Sequence, residues 1–205
     1  MRVYVEGNIG AGKSTVLAKL REMGHSVQPE SVDDPRSTFS RALRSPHTFH
    51  LQVAACVDMY DRMQRSESSR SDGALHFMER GVVGLETFME VAKENQSMTT
   101  LEYDLCMALK ATNEKLIQRQ HLEMVLFLDL EPALCLERVR ARRRKGEEDI
   151  TLAYLESVGR WYDTLLFANP HHRFVAARVK VAKDWPIEDV VAAVLATIAK
   201  MDASK

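Results

Sequence analysis

Short apolar runs alternate along the chain with longer stretches whose apolar positions recur at helical spacing. The first run, Arg2–Glu6 (RVYVE), favours a strand and stops at glycines. Lys13–Met23 places Val16, Leu17 and Leu20 on one helical face, and Gly24 stands where a helix C-terminus favours glycine. His25–Glu30 predicts a second short strand, and Asp33-Asp34-Pro35 breaks the chain after it. His47–Arg65 has helical spacing through Leu51, Ala54, Ala55, Val57 and Met59, and the Ser-rich stretch Ser66–Gly73 predicts a loop. Ala74–Met78 predicts a strand and Val82–Lys93 a helix. A further helix, capped by Thr99 or Thr100, runs to about His121.

Met124–Leu130 (MVLFLDL) is the most apolar run of all. A near-continuous apolar strand fits a parallel sheet covered on both faces. Pro132 suits the first turn of the next helix, and Thr151 predicts the cap of another that reaches about Phe167. Arg173–Val179 predicts a last strand and Pro186–Lys200 a last helix. Each strand-to-strand path is too long for a hairpin. The pattern therefore predicts an α/β protein with a five-stranded parallel sheet flanked by helices.

Composition narrows this picture. The chain has 205 residues, which fits a single domain spanning 1–205. Lys+Arg number 28 and Asp+Glu 29, a net charge of −1 that argues against a polycation built for nucleic acid. Hydrophobic residues at 45% and charged residues at 28% are globular values, not disordered ones. The three cysteines, Cys56, Cys106 and Cys135, contain no Cys-x-x-Cys pair, so a reducing, cytoplasmic setting is expected. No apolar run reaches the ~18 residues of a membrane span. The first strand begins at Arg2, which leaves no room for a signal or transit peptide ahead of the fold.

Candidate chemistry enters at Gly7-Asn8-Ile9-Gly10-Ala11-Gly12-Lys13-Ser14, followed by Thr15, which matches G-x-x-x-x-G-K-[ST]. The match has the context it needs, a strand before and a helix after. Glycines let the backbone wrap so that successive N–H groups face phosphate oxygens, and the helix N-terminus adds positive potential. Lys13 would reach the β- and γ-phosphates, and the Ser14 hydroxyl would ligate Mg²⁺. A nucleoside triphosphate, ATP, is implied.

Three further clusters bear on what receives the phosphoryl group. Glu30 sits at the end of the second strand, where open α/β sheets bind ligands, and is either a proton acceptor for an attacking hydroxyl or part of a solvated acidic turn. Met78-Glu79-Arg80 ends the third strand and is either a metal- and phosphate-binding pair or a surface ion pair. Arg138–Lys145 (RVRARRRK) is a solvated helical face, a nucleic-acid patch or a lid of arginines over phosphates. Glu147-Glu148-Asp149 neutralises the end of that run at once, which favours the lid, about 138–150, over a nucleic-acid groove.

Together these pieces resemble the deoxynucleoside kinase family of the cellular and large-DNA-virus type. The anchors are Gly7–Thr15, Glu30-Ser31-Val32, Leu51-Gln52, Met78-Glu79-Arg80 and Glu137–Leu155, in order and spaced as in that family. The resemblance implies a three-layer P-loop kinase fold with an arginine-rich lid. It implies Glu30 as general base for a deoxynucleoside 5′-hydroxyl, Arg80 at that hydroxyl and the transferred phosphate, and Glu79 beside Mg²⁺. It places Gln52 against the nucleobase edge and Arg138, Arg140, Arg142 and Arg144 over the phosphates of ATP. Glu147 would meet the sugar 3′-hydroxyl. A homodimer built on helices near His47–Arg65 and Val82–Lys93 is also implied, with no nucleic-acid or membrane partner.

The chain departs from that pattern in places. Ser40–Pro46 holds no tyrosine to share the 3′-hydroxyl, Ser31 follows Glu30 directly, and Gly81 replaces a serine after Glu79-Arg80. The substrate-pocket positions carry Ala55, Met59 and Leu85. Deoxycytidine- and purine-preferring members tend to have an Arg–Asp pair at the last two, so its absence points to thymidine or a broad pyrimidine preference. The rival readings are a nucleoside monophosphate kinase such as thymidylate kinase, and a P-loop regulatory protein using Asp129.

Overall fold

The computed structural model describes residues 1–68, 74–116, 123–168 and 174–203. Five strands form one parallel sheet: β1 (Arg2–Gly7), β2 (Ser26–Gln28), β3 (His76–Glu79), β4 (Glu123–Asp129) and β5 (Val175–Lys180). Their spatial order is β2-β3-β1-β4-β5. The helices are α1 (Lys13–Glu22), α2 (Thr38–Ala42), α3 (Thr48–Ser68), α4 (Val82–Glu94), α5 (Thr100–Leu116), α6 (Pro132–Arg142), α7 (Leu152–Asp163) and α8 (Ile187–Ala203). Strand residues alternate between two cores. Val3, Val5, Leu126 and Leu128 face one cluster with Leu17, Leu20 and Val194. Tyr4, Val125 and Phe127 face another with Met59, Met89 and Tyr162. Burial on both faces is why β1 and β4 are so apolar in sequence.

Local signals hold where the chemistry is local. Thr151 caps α7 by accepting from the Tyr154 N–H, Pro132 opens α6, and Thr99 with Glu102 forms a reciprocal cap at α5. Three boundaries differ from the pattern. The second strand is only Ser26–Gln28, because the next residue, Pro29, has no N–H to continue the ladder with β3. The segment around Asp33-Asp34-Pro35 is not a plain break. A 3₁₀ turn at Ser31–Asp33 leads to α2, whose cap is Ser37 accepting from the Ser40 N–H. At its far end α7 widens into a π-type turn over Thr164–Ala168. The last part of the expected Ser66–Gly73 loop, the end of the helix expected to reach His121, and Arg173 lie outside the described residues.

The topology decides where a site forms. From β1 the chain builds β2 and β3 on one side, then crosses back to β4 and β5 on the other. The connections leave β1 in opposite directions, so a crevice opens at the carboxyl ends of the strands. The glycine loop, Glu30 and Glu79-Arg80 lie at strand ends on that edge, and α6, which follows β4, carries the start of the arginine run. α4 is enclosed by α3, α5 and α7, and Val82, Leu85 and Met89 are buried within the protein. Among the described residues no helix is long and apolar enough to cross a membrane.

Candidate active site

The loop between β1 and α1 wraps tightly. Gly10 has φ +86, and a Cβ there would lie 2.4 Å from the Cys135 carbonyl oxygen, so only glycine fits. Lys13 is buried and donates to the carbonyl oxygens of Gly7 (3.1 Å) and Asn8 (2.8 Å), which keeps its charge inside the loop. Burial and then the nearby Arg80 lower its pKa to about 8. Asn8 braces the loop from behind: its amide donates to the Leu155 carbonyl at 2.7 Å and its side-chain oxygen accepts from the Ile9 N–H. Ile9 to Thr15 line the cleft, whereas Gly7 and Asn8 lie behind it.

The cleft is about 490 Å³ and runs from this loop to α3. Val181 and Trp185, before α8, and Ile187, its first residue, wall the loop end, and no sequence motif marks them. At the other end Gln52, Ala55 and Met59 form a stripe along α3, opposed by Leu85 and Phe88 on α4 and closed by Phe39 and Leu43. Apart from Gln52 this end is apolar. Tyr154 also lines the cleft, and burial pushes its hydroxyl up to about 12, so it is a hydrogen-bond donor at neutral pH.

Between the two ends stand the charged groups. Arg80 donates to Glu30 at 2.5 Å, with both side chains largely buried. Burial works to raise the Glu30 carboxyl, but Arg80, then Arg62 and Lys13 outweigh it and hold it below the usual carboxylate range. Ser14 Oγ donates to Glu79 Oε1 at 2.9 Å. A hydroxyl and a carboxylate side by side at the loop are hard oxygen donors. They fit Mg²⁺, which takes one or two protein oxygens and completes its shell with phosphates and waters. Arg80 has φ +52, in the left-handed region. The following Gly81 gives α4 no capping side chain, and Glu6 of β1 supplies one, accepting from the Gly81 (2.7 Å) and Gly84 (3.1 Å) N–H groups. Burial raises the Glu6 carboxyl, which also accepts from the Tyr162 hydroxyl at 2.8 Å.

The arginine run divides by helix geometry. Arg138 and Arg142, four residues apart, share one face of α6 and line the cleft, with Arg138 alongside Gly12. Arg140, two residues from each, falls on the opposite, exposed face and does not line it. This corrects its assignment to the phosphate site. Arg143 turns the chain with φ +50, which brings Arg144 back to the cleft. Glu147 accepts from Arg142 through both oxygens (2.8 and 2.6 Å) and from Arg144 (3.3 Å), while Arg144 also donates to Asp33 at 2.9 Å. Gly146, φ +88, passes so close to Leu43 that a Cβ would lie 2.5 Å from its carbonyl oxygen. The arginine segment is thus seated on α2.

Two buried residues of this site, Arg62 and Glu6, belong to no sequence motif. Arg62 extends the α3 stripe from Met59 by three residues, a signal present in the spacing; nothing local marks Glu6.

The sequence model for deoxynucleoside kinase matches residues 3–199. The chain belongs to the deoxynucleoside kinase family. A Frog virus 3 (isolate Goorha) protein assigned as a deoxynucleoside kinase is 30% identical over 156 residues, 76% of this chain and 77% of its own. Deoxycytidine kinase 2 of Gallus gallus is 25% identical over 202 residues, 81% of this chain and 74% of its own. Other relatives are a Dictyostelium discoideum deoxyadenosine kinase and an Ictalurid herpesvirus 1 thymidine kinase. In structure, deoxyadenosine kinase from M. mycoides with bound dATP aligns over 97% of this chain and all of its own, with TM-score 0.76 and 17% identity, which shows the shared P-loop kinase fold. This member of the family is a kinase that phosphorylates deoxynucleosides. The names of its relatives span pyrimidine and purine substrates.

Proposed function

We propose that this kinase transfers the γ-phosphoryl group of ATP to the 5′-hydroxyl of a deoxynucleoside, and that it prefers thymidine or pyrimidine deoxynucleosides. The observation that carries the reading is the Glu30–Arg80 pair, 2.5 Å apart, between the phosphate loop and the Gln52 stripe. An ionised carboxylate held there is a proton acceptor for a hydroxyl. It would also repel an acceptor that already carries a phosphate, which speaks against a nucleoside monophosphate kinase.

In this reading ATP lies on Ile9–Thr15 with its base toward Trp185. Ser14 and Glu79 hold Mg²⁺, which when bound neutralises charge on the phosphates. Glu30 takes the 5′-hydroxyl proton as the oxygen attacks phosphorus in line. Lys13 turns from its carbonyl partners to the phosphates. Arg80, Arg138, Arg142 and Arg144 spread the charge that develops, so positioning and electrostatics supply most of the rate. Gln52 offers one donor and one acceptor to a nucleobase edge in an otherwise apolar pocket. A base that mismatches it leaves buried polar groups unpaired. Glu147 serves the sugar 3′-hydroxyl once its arginines engage phosphate. Residues 1–205 act as one kinase domain with the lid at about 138–150, in the cytoplasm.

The homodimer of the family resemblance belongs to this reading too. α4 offers little surface for it, whereas Val57 on α3 is 53% exposed and Leu105 on α5 52%. The deciding experiment is a panel of deoxynucleosides and thymidine monophosphate, each with ATP and Mg²⁺, scored for product. Thymidine in first place supports the reading. A deoxyguanosine preference overturns its base specificity, and phosphorylation of the monophosphate alone overturns the acceptor.

A further inference from the structure

The stripe formed by Gln52, Ala55 and Met59 continues at Arg62, a buried residue at the cleft wall. Its guanidinium has two partners. Nε donates to Asp58 Oδ2 at 2.7 Å, one turn earlier on α3, and Nη1 donates to the carbonyl oxygen of Glu79 at 2.8 Å. The Asp58 and Arg62 side chains are 8% and 3% exposed, so this is a buried ion pair. Such pairs contribute little stability compared with packed apolar residues of the same volume. What this one provides is direction: the carboxylate sets the plane of the guanidinium, and the guanidinium grips a backbone carbonyl at the end of β3.

That carbonyl belongs to the peptide joining Glu79 to Arg80. Arg80 has φ +52, a conformation that a residue with a Cβ keeps only where its surroundings impose it. The constraint comes from both sides. Arg62 holds the carbonyl before Arg80, and Glu6 holds the N–H after it, accepting from Gly81 at 2.7 Å. Two buried side chains from α3 and β1 therefore clamp the turn from which the Arg80 side chain reaches Glu30.

We infer that Arg62, oriented by Asp58, is a positioning residue for phosphoryl transfer: it fixes the Glu79–Arg80 peptide and so sets the Arg80 guanidinium against Glu30. This rests on the reading of Glu30 and Arg80 as the reacting pair. A displacement of about 1 Å at such a pair costs about 100-fold in rate. Binding of the nucleoside, which the Gln52 end of the cleft governs, stays unaffected.

The test uses the whole chain. An Asp58→Leu/Arg62→Met variant removes the pair without leaving a buried unpaired charge. Arg62→Lys keeps the charge but replaces the planar fork, whose Nε and Nη1 address Asp58 and the Glu79 carbonyl separately, with a point charge on a flexible stem. Arg62→Ala is assayed with and without guanidinium ion. Melting temperature, nucleoside Kd, KM and kcat are measured for each, with Glu30→Gln alongside. The expected result is a kcat lower by about 100-fold, with KM and Kd within about threefold of the parent. Added guanidinium recovers at least about tenfold of kcat in Arg62→Ala without moving the melting temperature. If the double variant does not fold, Arg62→Lys and the rescue decide. A kcat within about threefold of the parent in a folded variant, or a loss that guanidinium does not rescue, overturns the inference. If Glu30→Gln turns over normally, the catalytic reading itself falls and the inference with it. If Glu30→Gln collapses while the Arg62 variants turn over normally, only the inference falls.

Discussion

Arg80 and Glu30 meet at 2.5 Å although fifty positions separate them in the chain, one after β3 and the other after β2. The contact keeps a buried carboxylate ionised where an acceptor hydroxyl would arrive. Replacing the carboxylate by its neutral isostere removes the proton acceptor and leaves the shape. Glu30→Gln is expected to lower kcat by about 10²- to 10⁴-fold while nucleoside Kd, measured by calorimetry, changes little.

The same contact has a signature in stability. The folded Glu30 pKa lies below its unfolded value, so folding favours the ionised form. Its contribution is present in full above the unfolded carboxylate value and is lost as pH falls through the lowered folded value. Denaturant midpoints measured across the acid range should therefore decline less steeply in Glu30→Gln than in the parent.

Lys13 moves the other way, to about 8 from an ordinary lysine value, because burial disfavours its charge. Phosphate oxygens favour the charged form, so binding ATP raises the Lys13 pKa and takes up a proton above pH 8. Affinity should weaken about tenfold per pH unit above that point. Calorimetry at pH 8.5 in buffers of different ionisation heat should show uptake of up to about three quarters of a proton, and Lys13→Met should show none.

Met59 and Leu85 face the cleft from α3 and α4 at 2% and 5% exposure. Their apolar character leaves Gln52 as the main polar contact for a base at that end. Placing an ion pair there with Met59→Arg/Leu85→Asp should shift kcat/KM from thymidine toward deoxycytidine and purine deoxynucleosides by about tenfold or more. Competition between nucleosides in one reaction reads the ratio directly.

Gly146 adopts φ +88 against the Leu43 backbone. Gly146→Val meets both a left-handed conformation, at about 1–2 kcal/mol, and a backbone clash. The arginine segment should then detach from α2. The expected readouts are a lower denaturation midpoint, a higher KM for ATP and faster proteolysis near Arg143–Lys145.

Strand and helix order, the phosphate loop and the caps at Thr151 and Pro132 were legible in the sequence, because each depends on neighbours a few residues away. Periodicity also determined that β4 is covered on both faces. The family resemblance placed Glu30, Glu79, Arg80 and Gln52 in one site, and the cleft brings them together. Only the tertiary structure decided the rest. The order β2-β3-β1-β4-β5 sets the end of β1 between those of β3 and β4, so that Glu6 caps α4 across seventy-five positions. Helix phase, not the run of basic residues, turned Arg140 away from Arg138 and Arg142. The Arg62–Glu79 contact joins a helix to a strand end, and no local period encodes it. Which side chains share a face follows from the spacing of residues along the chain. Which faces meet depends on long-range packing, where partners many residues apart become neighbours only once the sheet has closed around its core.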